Sequence, residues 1–165
     1  MREIELTQGY VALVDDEDYE RVNEFKWHAV KHKNNKSPYA CRKKSIKGKK
    51  TTILMHRFIL GAKKGEYVDH IDRDGLNNQR SNIRICTQAQ NCANRDMSTR
   101  GNTKYKGLRY FTMKDGKTYP YFYFCNHRLG VNLAVRVETE EDAARMYNEH
   151  AIKYYGEFAN LNVID

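Results

Sequence analysis

Between Tyr67 and Arg95 the chain reads YVDHIDRDGLNNQRSNIRICTQAQNCANR, and four of its side chains suit one kind of chemistry. Hydrolysis of a phosphodiester needs a divalent metal to steady the phosphate and leaving oxygen, ligands to hold that metal, a base to activate water, and a group to orient the base. Asp69 offers a carboxylate oxygen and Asn91 an amide oxygen. His70, with an unperturbed pKa of about 6.5, is suited to taking a proton from water at neutral pH. Asn82 stands in the turn-rich loop DRDGLNNQRSN, where its amide can brace the backbone around His70. Taken singly, an Asp-His pair and an Asn-rich loop are structural more often than chemical, and Asn77 and Asn78 read as turn formers. Asp69 and His70 are neighbours, so on a strand their side chains point to opposite faces, and a twist or bulge at the strand end is needed to bring both to one site.

The elements that must position these residues follow from local pattern. The segment itself reads strand, loop, strand, helix, with Thr87 as the cap of TQAQNCANR. Upstream, GYVALVDD reads as a strand ending in an acidic turn, and DEDYERVNEF as one or two helical turns capped by Asp15 or Asp16. KWHAV, PYACRKK and KTTILMH are three strand-like runs separated by polar loops with Asn34-Asn35 and Gly48. Downstream, NRDMSTRGNT has no apolar periodicity and reads as a linker. KYKGLRYF, TYPYFYFC and HRLGVNL then read as three strands rich in aromatic and β-branched residues, with Asp115-Gly116 as the turn between the first two. A helix follows, with Thr139 and Asp142 in capping-box positions and Ala143, Tyr147, Ala151 and Tyr154 on one face; Gly156 stops it. The organisation is a basic β-rich region with the candidate site at 1–95 (the site within about 66–95), a linker at 96–103, and a β-β-β-α part at 104–165.

Charge supports a polyanionic partner. The 165 residues carry a net +8, with thirteen Lys/Arg and no Asp or Glu between Phe25 and Gly65. Clustered Lys and Arg of this kind neutralise phosphates and release counterions, so Lys43, Lys44 and Arg57 are candidate nucleic-acid contacts. Arg84 either reaches a phosphate or stays at the surface, and His56 has a packing or hydrogen-bonding role. From Gly101 to Val137 the net charge is +6, and from Glu138 to Asp165 it is −5. A basic sheet backed by an acidic helix can turn one face to phosphates while the helix covers the other. The four cysteines form no C-x-x-C pair, which argues against a zinc finger, and they are expected to be reduced and mostly buried. No leader and no apolar run of about 18 residues is seen, so a cytoplasmic protein without membrane association is expected.

On VDHID, LNN, SNIR and QNCAN, the first part resembles the HNH endonucleases in their phage and intron-encoded homing form. The resemblance implies a ββα-metal fold, so the whole reads as α+β: a small β-rich N-terminal region, a ββα-metal nuclease core, then a three-stranded antiparallel sheet packed on one helix. It places the general base on His70, the metal-binding acid on Asp69, the loop-holding asparagine on Asn82 and the last motif position on Asn91. Asparagine rather than histidine at that last position makes an oxygen site, which favours one Mg²⁺ or Mn²⁺ ion over Zn²⁺. Double-stranded DNA is the implied partner, cut to 5′-phosphate and 3′-hydroxyl ends by a monomer or weak dimer in a bacterial or phage-infected cell.

On YKGLRY, HRLGV and TEEDAARMYNEHAIKYYGEFANLN, the C-terminal part is similar to the plant Apetala-two/ethylene-response-factor DNA-binding domain. That resemblance implies a sheet lying in the major groove, with contacts from Lys104, Lys106, Arg109, Tyr121 and Arg128. Lys106 stands where the family has arginine and lacks its bidentate fork. His127 reads as a strand surface residue. Two other readings share these features: a DNA-binding regulator with an inactive nuclease core, and a restriction or defence nuclease.

Overall fold

The computed structural model describes residues 1–31, 37–46, 48–96 and 103–164, with the side chains of residues 46 and 128 left aside. The Asn34-Asn35 loop and residues 97–102 of the expected linker therefore lie outside the described residues. The protein is mixed α+β, with short helices and three separate sheets. It falls into two units, Met1–Asn91 and Cys92–Asp165.

The first unit is built on a five-stranded sheet in the order β2-β1-β3-β4-β5, formed by β1 (Arg2–Thr7), β2 (Val11–Val14), β3 (Trp27–Val30), β4 (Tyr39–Ile46) and β5 (Lys49–Leu54). Strand β1 is one that the reading of the sequence passed over. Its glutamates at alternate positions lower β propensity. What makes it a strand is Ile4 and Leu6 buried on one face, with partners on both edges: antiparallel β2 and parallel β3. Helix α1 (Asp16–Asn23) follows at the expected place, with Asp15 as N-cap residue though without a side-chain cap bond.

The run KTTILMH divides. The strand ends at Leu54, and Met55–Leu60 is a helix, α2, that buries Met55, His56 and Ile59. These lie at i, i+1 and i+4, a helical face rather than an alternating one. Helix α2 is what turns His56 inward. Ile4, Leu6, Val14, Val22, Trp27, Met55, Ile59 and Ile83 share one core.

Ile83 belongs to the hairpin β6 (Tyr67–His70) and β7 (Ile83–Cys86), so the hairpin is rooted in that core. Helix α3 (Gln88–Ala93) follows, and the boundary between the units falls within it. Its start is a capping box: the Gln90 amide donates to Thr87 Oγ1 at 3.3 Å and the Thr87 amide to Gln90 Oε1 at 2.8 Å.

The second unit is a three-stranded antiparallel sheet, order β10-β9-β8, of β8 (Leu108–Thr112), β9 (Thr118–Asn126) and β10 (Val131–Arg136), with helix α4 (Glu140–Tyr155) against it. Phe122 and Phe124 of β9 pack against Ala143, Ala144, Tyr147 and Tyr154 of α4. The small alanines let the helix come close to the sheet. The Thr139–Asp142 capping box is formed, and Gly156 ends the helix. No disulfide joins the cysteines: Cys41 and Cys86 are buried, Cys125 is half-buried and Cys92 is exposed. Among the described residues no helix is long and apolar enough to cross a membrane.

Candidate active site

The β6–β7 pairing runs unbroken from Tyr67↔Cys86 to His70↔Ile83, with no bulge. The alternation of side chains therefore holds to the end of the strand, and Asp69 and His70 leave it on opposite faces. Both are nonetheless buried, at 5% and 4% exposure. Asp69 faces its cross-strand partner Arg84, whose Nη2 and Nε donate to Oδ2 at 3.0 and 3.2 Å. Arg84 is thus an ion-pair partner of the acid, not a freely exposed side chain.

His70 points into a small cluster contributed by three other parts of the unit. Its ring lies 4.8 Å from the ring of His56 on α2, at 90°, and 5.7 Å from the ring of Tyr39 on β4. Its Nε2 is 3.4 Å from Oδ1 of Asn78, a fully buried side chain. Asn78 Nδ2 donates to the Leu76 carbonyl at 3.0 Å, which fixes the amide so that its oxygen is the atom facing His70. An amide oxygen only accepts, so in this contact Nε2 is the nitrogen that donates. Burial lowers the His70 pKa, while the Asn78 bond and the carboxylates of Asp72, Asp69 and Asp74 pull it back up. The imidazole is neutral at neutral pH, the form a base requires. The His56 pKa is pushed down to about 3, by burial first and then by His70 and Arg57.

The loop between the strands is held from within and from outside. Asn82 braces it from within: its Oδ1 accepts from the Asp72 amide at 3.0 Å, and its Nδ2 donates to Asp72 Oδ1 and the Asn77 carbonyl, each at 2.8 Å. From outside, Leu13 of β2 exchanges two backbone bonds with it, its amide to Leu76 O and its carbonyl from Asn78 N, both at 2.8 Å. Arg80 reaches Asp18 of α1, with Nε on Oδ2 at 2.7 Å and Nη2 on Oδ1 at 3.0 Å, and Arg21 adds a further bond to Oδ1. Gly75 lies so close to β4 that a Cβ there would meet Pro38 O at 2.4 Å and the Tyr39 ring at 2.7 Å. Only glycine permits that approach.

The other candidates are spread over both units. Asn91 sits half-buried on α3, its amide bonded to Thr87 O at 3.0 Å. Lys43 and Lys44 are exposed on β4. Arg57 bonds the carbonyls of Glu66, Ala62 and Lys63 at 2.5, 3.2 and 2.8 Å and so closes the turn between α2 and β6. In the second unit, β9 residues alternate, so that Phe122 and Phe124 face α4 while Tyr119, Tyr121 and Tyr123 face away. Beside them Arg109 lies over the Tyr123 ring at 4.1 Å, Arg136 over Tyr119 at 3.6 Å, and Phe111 meets Tyr121 at 4.9 Å. Arg109 and Tyr121 are register partners on this face. Lys104 lies 3.7 Å from Glu141 on the helix side. Lys106 donates to the carbonyls of Arg95 and Asn160, holding backbone within its unit. The side chain of Arg128 is outside the described residues.

Tyr39, Asn78, Asp18 and Arg80 were not foreseen as parts of the site. Asn78 looks like a turn residue in sequence, and only its complete burial separates it from Asn77. Tyr119 and Arg136 were passed over as well; period-two alternation along β9 is the signal that puts Tyr119 on one face with Tyr121.

Comparison with known proteins places these observations in context. The chain is 33% identical over 164 residues to an uncharacterized HNH endonuclease of Acanthamoeba polyphaga mimivirus, a match covering 96% of this chain and 78% of that protein. The match therefore extends through both units. No family model matches the chain, and no solved structure does.

Proposed function

The chain belongs to the HNH endonucleases, and from that premise we propose that it cuts DNA at the cluster around His70, as a homing-type enzyme with a ββα-metal core. The observation that carries the proposal is the state of His70. The ring is buried, and its Nε2 lies 3.4 Å from the oxygen of Asn78, an amide held in place by its own bond to the Leu76 carbonyl. His70 takes a proton from water as the water attacks phosphorus in line with the departing 3′ oxygen. The imidazolium so formed is stabilised by Asp72, Asp69 and Asp74, the carboxylates that already raise its pKa. Asn82 keeps the loop, and with it Asp72 and Asp74, in place.

Asp69, on the face of β6 opposite His70, and Asn91 are the ligands that the resemblance assigns to a divalent ion. Their chemistry fits a hard ion: two oxygen donors leave the other positions to water and phosphate, as is usual for Mg²⁺. Asp69 shares its carboxylate with Arg84. When bound, Mg²⁺ or Mn²⁺ would stabilise the charge that builds on the phosphate oxygens.

DNA is held, in this reading, by two basic surfaces. Lys43 and Lys44 grip backbone from the first unit. The outward face of the second unit, with Arg109 and Tyr121 at its centre, acts as an Apetala-two-like targeting domain, joined by Arg128. Arg136 belongs to the same face. Lys104, Lys106 and Arg57 contribute positive charge from positions where they also hold protein groups.

A plasmid-nicking assay in Mg²⁺ tests the assignment. Wild type nicks, and His70→Ala loses about 100-fold or more while binding DNA as before. Equal activity of the two proteins removes His70 from the mechanism. Tight binding with no wild-type cutting in Mg²⁺ or Mn²⁺ favours a DNA-binding regulator instead.

A further inference from the structure

His56 has a property that its packing does not explain. It is 4% exposed, and its buried Nδ1 has no hydrogen-bond partner among the described residues. Leaving such a nitrogen unbonded is costly, and an apolar side chain of similar shape avoids the cost. Arg42 Nε shares this condition. There the guanidinium lies 3.8 Å above the Phe25 ring, a cation–π contact that offsets the loss. Among the described residues the ring of His56 meets only the rings of Tyr39 at 5.6 Å and His70 at 4.8 Å, and a phenyl ring makes those contacts equally well. An imidazole therefore adds nothing to this fold that phenylalanine lacks, except the nitrogens. It stands edge-on to the proposed base and is no more buried than that base, both being 4% exposed.

We propose that His56 is a second hydrogen-bonding group of the active site, its Nδ1 accepting a hydrogen bond from a water of the shell that His70 activates. This rests on the nuclease reading above. The neutral ring has one accepting nitrogen, and water can donate to it, whereas a phosphate diester oxygen cannot. His56 accordingly orders water for the reaction and takes no part in holding DNA. Helix α2 is then part of the catalytic apparatus and not only a support for the sheet.

The test uses the full chain and three variants: His56→Phe, His56→Asn and His70→Ala. Phenylalanine keeps the ring and removes the nitrogens. Asparagine places an amide oxygen or nitrogen near the position of Nδ1. His56→Phe is expected to melt at or above the wild-type temperature, to bind DNA unchanged, and to lose about tenfold or more in kcat with KM constant. His56→Asn is expected to recover a measurable part of that kcat despite a lower melting temperature. Wild-type kcat in His56→Phe overturns the proposal, as does equal loss in both His56 variants. If His56→Phe does not fold, the asparagine variant decides: kcat reduced as far as in His70→Ala overturns the proposal, and a smaller loss supports it. The His70→Ala control keeps the two readings apart. Should it cut as well as wild type, the nuclease assignment itself falls. Should it be dead while His56→Phe is fully active, only the role of His56 falls.

Discussion

At the scale of residues, the state of His70 is set by neighbours distant in sequence. Asn78 selects its tautomer, and removing that amide frees the ring to rotate and to protonate the wrong nitrogen. Asn78→Ala is expected to lower kcat about tenfold with little change in KM, measured by nicking under saturating DNA; unchanged kcat shows that the tautomer is set elsewhere. Asp69 presents a different balance. Its pair with Arg84 is nearly buried, and taking away one partner of such a pair costs about 3 kcal/mol. Arg84→Met should therefore melt lower than wild type, and Mg²⁺ should restore more of the loss than it adds to wild type if the ion sits on Asp69. The absence of any differential Mg²⁺ effect in thermal melts counts against Asp69 as a ligand. His56 gives a pH signature. Its folded value of about 3 lies below the unfolded value of about 6.5. The stability linked to its neutral form is thus complete above about pH 6.5 and is lost as pH falls toward the folded value. Melting temperature should drop between pH 7 and 4, and His56→Phe should show a shallower drop.

At the scale of elements, α1 acts as a clamp on the loop that carries Asn78 and Asn82. Its Asp18 is 2% exposed and meets both Arg80 and Arg21. Burial raises the Asp18 pKa, but the two arginines outweigh it and the net shift is downward. Asp18→Ala takes the shared anion from two half-exposed guanidinium groups, Arg80 keeping Glu17, and is expected to cost about 2 kcal/mol. The exposed Arg2–Glu20 pair on the same side of the sheet is expected to contribute less than about 1 kcal/mol. Denaturant melts of the two variants, Asp18→Ala and Glu20→Ala, compare them directly; similar small losses mean that Asp18 does not anchor the loop.

At the scale of the whole molecule, two units of different character share one chain. The first holds the cluster around His70 and a strand edge rich in lysine. The second presents arginines stacked on tyrosines across an outward sheet face. If the second unit targets DNA, Arg109→Ala in the full chain should weaken binding and reduce the slope of log affinity against log salt by about 1, with little effect on kcat once DNA is saturating. A change in kcat with unaltered binding reverses this division of labour.

Much of this protein was legible in its sequence because local rules fix it. The bonds of Asn82 to Asp72 and Asn77, the Thr139 capping box and the Asp115-Gly116 turn each depend on residues within about a dozen positions of one another. Charge distribution likewise needs no fold to be read. What local pattern does not carry is long-range pairing. Strand β1 is a strand because of β2 and β3, and Met55–Leu60 is a helix because the core takes Met55 and Ile59 on one side. The surroundings of His70 combine Tyr39, His56 and Asn78 from three segments that only the tertiary structure brings together. Desolvation, which lowers the pKa of both histidines, is a property of that assembly and has no trace in the one-dimensional spacing.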